Sequence, residues 1–163
     1  MSKTDKNLKD AFIGESQAHM KYLAFAEQAD EEGYPLIAKL FRTAAEGEGI
    51  HAHAHLKNDI RSTRENLLAA MWGETFEFRL MYPEMIRQAA EEGRDSEKES
   101  LQFANEIKHF YTELFEKAFE HLELEKLEEG EYFICSFCGF PTKDSYPDKC
   151  PICKHENCFN KVN

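Results

Sequence analysis

Apolar residues recur at intervals of three and four through most of the first 129 residues, the mark of helices that each bury one face. Few breaks interrupt the pattern: Gly33-Tyr34-Pro35, a polar stretch near 57 to 66, Gly93-Arg94-Asp95 and Gly130. Four helices are therefore predicted, at about 4–32, 35–59, 63–92 and 95–128. Pro83 falls inside the third and should bend it or cost it a backbone hydrogen bond. From Gly130 the helical period vanishes and three of the five prolines appear, at 141, 147 and 151, so short strands and loops are expected. The chain reads as a helical domain over 1–129 followed by a mini-domain over 130–163.

Charge follows the same boundary. The net charge of -11 belongs to residues 1–129, which hold 16 basic against 27 acidic residues, while 130–163 balance four against four. Nucleic acid and anionic membrane surfaces are thereby excluded as expected partners. No apolar run is long enough to span a bilayer and no basic-then-apolar segment follows Met1, so a cytoplasmic protein is expected. All five cysteines lie after residue 134, and in a reducing compartment thiolate ligation outweighs a disulfide framework. Cys135-x-x-Cys138 and Cys150-x-x-Cys153, eleven residues apart, are the spacing of a tetrahedral four-thiolate site that suits iron or zinc. Cys158 is left over as a packed or exposed thiol.

The helical part repeats itself. Gly14-Glu15, Tyr22, Glu31-Glu32-Gly33 and Glu48-x-x-His51 recur as Gly73-Glu74, Tyr82, Glu91-Glu92-Gly93 and Glu106-x-x-His109, about 60 residues later. Two similar hairpins should pack with approximate twofold symmetry and bring these residues to the axis. Glu and His three apart share a helix face and can present oxygen and nitrogen to one point. Two such motifs hardly exceed chance in so glutamate-rich a chain, but their setting decides. Glu15 lies in the stripe Leu8, Phe12, Tyr22, Ala26, Ala29, and Glu48 in Ile37, Phe41, Ala44, Ala45, Ala52, Leu56, where an unpaired charge is costly without a cation. Glu74 and Glu77 sit among Leu67, Met71, Phe78 and Met81, and Ala18 stands where Glu77 would have its counterpart. Five glutamates and two histidines suit a carboxylate-bridged pair of iron or manganese ions.

Taken in order, Gly14-Glu15-Ser-Gln-Ala, Glu48-x-x-His51-Ala, Gly73-Glu74-x-x-Glu77, Met81-Tyr82-Pro83, Glu106-x-x-His109 and the cysteine tail resemble the rubrerythrin family over nearly the whole chain. The resemblance implies a ferritin-like four-helix bundle with a non-haem di-iron centre, coupled to a rubredoxin-like domain with one iron. It implies iron ligation by Glu15, Glu48, His51, Glu74, Glu77, Glu106 and His109, with Tyr22 and Tyr82 hydrogen-bonding to the carboxylates. It also implies peroxidase activity: hydrogen peroxide is reduced to water, and the oxidised centre is re-reduced through the four-cysteine iron. The chain has no glycine-rich dinucleotide motif, so an NAD(P)H-dependent reductase is expected as an external partner. Ferritin-type oxidation and handling of ferrous iron is the alternative, and a structural zinc ribbon on a helical interaction domain a third reading.

Two departures carry expectations of their own. Rubredoxin-like hooks turn with positive φ after the second cysteine; Gly139 fits, but Lys154 should reshape the second hook and favour zinc slightly. Between Glu48 and Glu74 lie only 25 residues, whereas a crossover along a bundle about 40 Å long needs roughly 14 helical, 12 extended and 14 helical residues. With no Gly or Pro from 50 to 72, helix 2 is expected to run nearly straight into helix 3. The corresponding assembly is a domain-swapped homodimer in which the first two helices of one chain bundle with the last two of the other. An up-down-up-down bundle, with Ser62-Thr-Arg-Glu65 starting helix 3 as a capping box, is the competing topology.

Overall fold

The structure, a computed structural model, describes residues 2–57, 59–124 and 129–162. It is mainly helical, with a small antiparallel sheet in the cysteine-rich tail. Packing divides the chain into two compact units, Met1–Arg61 and Ser62–Asn163, rather than at the compositional boundary near Gly130.

The first unit is a helical hairpin. Ser2 and Asp5 exchange side-chain and backbone hydrogen bonds in a capping box that opens α1 (Lys3–Glu31). After the turn at Gly33, Pro35 starts α2 (Pro35–Leu56), where its missing N–H costs nothing. Ala26, Ala29 and Ala38 are buried with Phe41 packed over them, and Ala45 and Ala52 continue the buried row. Side chains this small let the two backbones approach closely, but they fill no thick core. Met20, Phe25, Leu36, Leu40 and Ile50 are exposed.

α2 ends at Leu56, and α3 (Thr63–Phe76) begins behind a capping box between Ser62 and Glu65. The expectation of a nearly straight run from helix 2 into helix 3 is therefore corrected: Ile60, Arg61 and Ser62 are not helical. Ser62 accepts from the Glu65 amide, which gives the backbone a definite restart without any Gly or Pro.

The third predicted helix is helical throughout but not uniform. Between α3 and α4 (Tyr82–Glu91), residues Glu77–Met81 widen into a π turn, and the Tyr82 N–H reaches back five residues to the Glu77 carbonyl. The cause is Pro83, whose ring would strike the carbonyl four residues earlier in a regular helix. The fourth predicted helix is α5 (Asp95–Glu123); residues 125–128 of that expectation lie outside the described residues.

In the tail, β1 (Tyr132–Cys135) lies between β2 (Pro141–Lys143) and β3 (Phe159–Lys161), antiparallel to both. The sheet and its loops pack on α5. Ile107 is buried in one cluster with Cys135, Phe140, Cys150 and Cys158, Phe110 meets Phe140 edge-on at 4.8 Å, and the Tyr111 hydroxyl donates to the Gly139 carbonyl at 3.2 Å.

Candidate metal centres

In the cysteine site the two hooks face each other. Cys135 Sγ lies 3.6 Å from Cys153 Sγ, and Cys138 Sγ lies 3.6 Å from Cys150 Sγ. A tetrahedron with metal–sulfur bonds of about 2.3 Å has edges of about 3.8 Å, so the four sulfurs stand close to ligating distance. All four are free thiols within 4.8 Å of one another. The hooks bring amides onto sulfur: Phe137 and Cys138 donate to Cys135, Phe140 to Cys138 and His155 to Cys153. Burial opposes thiolate at Cys135, yet these amides and the neighbouring thiols bring it down to about 6. Burial pushes the Cys138 and Cys153 thiols up instead. Four thiolates packed this tightly need a cation, and the donor set is that of a single iron or zinc.

The second hook is not reshaped, contrary to the expectation from Lys154. Lys154 adopts φ +64°, close to the +77° of Gly139, and both donate their amides to the first cysteine carbonyl of their hook, at 3.1 and 2.9 Å. The left-handed conformation costs a lysine about 1 kcal/mol, which the surrounding turn absorbs. His155 stacks on Phe137 with centroids 3.8 Å apart, away from any role as a ligand. Cys158 is buried, with Sγ 3.4 Å from Cys135 Sγ. Burial pushes its thiol up to about 11, so it keeps its hydrogen at neutral pH.

Of the carboxylate and histidine residues, Glu15, Glu48 and His51 form one group in the first unit; in the second, Glu74 and Glu77 meet at Lys108, and Glu106 and His109 are not gathered with them. Along α1 and α2, Glu15, Glu48 and His51 bring ligand atoms within 4.8 Å of one another. His51 Nδ1 is 3.0 Å from Glu48 Oε2, and this contact, followed by a hydrogen bond from Glu15, holds the Glu48 carboxyl below its usual range. His19 takes no place in the group: its Nδ1 bonds to the Ala45 carbonyl at 2.7 Å. A Cβ on Gly49 would come within 3.1 Å of that ring, so the glycine makes room for it. The Tyr22 ring packs against Phe25 and Phe41.

In the second unit Glu74 and Glu77, at the start of the π turn, share one cation. Lys108 Nζ on α5 is 2.9 Å from Glu77 Oε2 and 3.3 Å from Glu74 Oε2. Burial works against its charge, but the two carboxylates hold the ammonium above the ordinary lysine range. Glu74 Oε2 is buried and accepts no well-aligned hydrogen bond, so the Lys108 ammonium at 3.3 Å is what offsets its charge. Glu106 and His109 lie on the same turn of α5 as Lys108 but are exposed. His109 stacks on Phe78 at 5.1 Å and approaches Glu113 at 3.2 Å. Sequence reasoning missed Lys108. Its place just before His109 was the available signal, obscured because residues 106 and 108 point to different sides of a helix.

The rubrerythrin family model matches residues 6–58. Rubrerythrin-2 of Clostridium acetobutylicum is 33% identical over 90% of this chain and 89% of its own length. Nigerythrin of Nitratidesulfovibrio vulgaris is 32% identical over 92% of this chain and 81% of its own. Among solved structures, the fully reduced, all-ferrous state of nigerythrin matches with a TM-score of 0.59 at 30% identity, covering 99% of this chain and 88% of that one. Identity at this level over nearly the full length of both chains places this chain in the rubrerythrin family, peroxide-reducing oxidoreductases with a di-iron centre and a rubredoxin-like iron at four cysteines.

Proposed function

We propose that the protein reduces hydrogen peroxide to water at a di-iron centre ligated by Glu15, Glu48 and His51 together with Glu74, Glu77, Glu106 and His109. Electrons enter through an iron at Cys135, Cys138, Cys150 and Cys153, supplied by an external NAD(P)H-dependent reductase in the cytoplasm. An iron pair supplies two electrons to one peroxide, one from each ion. The chain's own residues manage charge and protons. Glu15 and Glu48 bring their carboxyl oxygens within 4.8 Å of each other, so a proton can pass between them next to where two protons must arrive to make two waters. Glu77, without a counterpart in the first hairpin, is the carboxylate free to change partners, and the Lys108 ammonium is at hand to receive it. Tyr22 and Tyr82 are assigned to orient the carboxylates by hydrogen bonding.

One observation carries the electron feed. Ile107, between Glu106 and Lys108 on α5, packs in the same cluster as Cys135 and Cys150, so the cysteine site rests on the helix turn that bears two proposed iron ligands. Iron storage of the ferritin type would need no such neighbour. We further propose a domain-swapped homodimer. The α1–α2 hairpin buries little beyond alanines and exposes a row of large apolar residues, while Trp72, Phe76 and Leu80 are exposed on the second unit.

The test is a single-turnover experiment: the iron-loaded protein is reduced anaerobically and mixed with hydrogen peroxide, and both iron chromophores are followed. Reoxidation of the cysteine iron at a rate set by peroxide turnover is expected. A cysteine site that stays reduced while peroxide decays only slowly would refute the feed.

A further inference from the structure

The fifth cysteine is a buried thiol to which neither the hooks nor the proposed turnover assigns a task. Cys158 is only 3% exposed; with all thiols protonated, its S–H donates to the His155 carbonyl oxygen at 3.4 Å and its Sγ accepts from the Cys135 thiol at 3.4 Å. Its position is fixed from several sides. Asn157 turns the chain with φ +52° and donates its amide to the Asp148 carbonyl, and the Cys158 carbonyl accepts from the Ser136 amide at 2.8 Å, next to Cys135 itself. Immediately afterwards the chain enters β3, where Phe159 pairs with Cys135.

From this geometry we infer that Cys158 is a positioning residue for the cysteine-bound metal: its S–H donates a hydrogen bond to the Cys135 thiolate and raises the reduction potential of the iron held there. Metal ligation removes the hydrogen of Cys135, so between the two sulfurs only Cys158 has one to give. Of its two acceptors at equal distance, the thiolate carries charge and the carbonyl does not, and hydrogen bonds to charged acceptors are the stronger. A donor to a ligating sulfur stabilises whichever oxidation state places more negative charge on the thiolates, which is the ferrous one. With the amides of Phe137 and Cys138, Cys135 thus receives a third donor, from a side chain. The consequence is a site that accepts electrons from its donor more readily than the hooks alone would allow.

The inference rests on four-thiolate ligation and not on peroxide reduction, so its test uses metal-loaded full-length protein without peroxide. In the zinc-loaded parent the four ligands have lost their hydrogens, and the S–H stretch left in the infrared belongs to Cys158. It should lie below the frequency of a thiol bonded to a backbone carbonyl, and a band that is absent or no lower than that overturns the proposal. Cobalt-loaded Cys158→Ala should show its thiolate-to-metal charge transfer moved to lower energy, and the iron-loaded variant a lower reduction potential. Cys158→Ser, which keeps a donor, should return both toward the parent values. Equal behaviour of the Ala and Ser variants, shifted or not, means the effect is one of volume or is nil, and overturns it. Should Cys158→Ala fail to bind metal, the infrared band and the Ser variant still decide.

Discussion

Lys154 and Lys108 each hold a position that their chemistry makes uncomfortable. Lys154 keeps a left-handed backbone that glycine would adopt freely, because its amide is needed on the Cys150 carbonyl. Lys154→Gly should therefore stabilise the metal-loaded protein by up to about 1 kcal/mol, reduced by the greater freedom of glycine in the unfolded chain. Denaturant titration of parent and variant measures this, and a loss of stability would contradict the strain. Lys108 balances the charges of Glu74 and Glu77. Lys108→Met should lower the melting temperature of the metal-free protein by roughly 3 °C, as about 1 kcal/mol does at this chain length, while added cobalt should restore more stability than in the parent. Since the carboxylates raise the lysine above 10.5, its share of stability is present throughout the neutral range and fades only at more alkaline pH.

At the scale of elements, the helix starts and stops were readable because Gly33, Pro35 and Gly93 punctuate the periodicity where the chain turns. Two features were not. The interruption before α3 lacks Gly and Pro, so its signals, a polar stretch and the Ser62–Glu65 capping box, were outweighed by a connection too short for a crossover. Ser62→Ala should cost about 1 kcal/mol by removing the acceptor for the Glu65 amide, detectable as a lower denaturation midpoint with an unchanged slope. The π turn at Glu77–Met81 was foreshadowed by Pro83 alone, since widening one turn leaves no periodic trace over five residues. Of the site, the grouping of Glu15, Glu48 and His51 was legible from their apolar setting and the repeat, and from the family resemblance, rather than from spacing alone. The Lys108 ion pairs do not, because a long flexible side chain reaches partners that a helical wheel does not place beside it.

For the whole molecule, the proposed swap makes a prediction that no unswapped bundle shares. Glu48→Gln and Glu106→Gln should each abolish peroxide reduction. Unfolded together and refolded, they should regain about a quarter of parental activity, because half the dimers are mixed and each mixed dimer has one wholly parental site. In an unswapped chain every site keeps one substitution, and no activity returns. The alanine-lined seam between α1 and α2 has a further consequence, in time rather than space. Residues 3–56 are synthesised first, yet the hairpin they form holds little of the buried area that would keep it folded alone. The committed step of assembly should then be an encounter between two nascent or half-folded chains. Refolding half-times should fall in proportion as protein concentration rises, and dilute chains should be lost to aggregation before they mature.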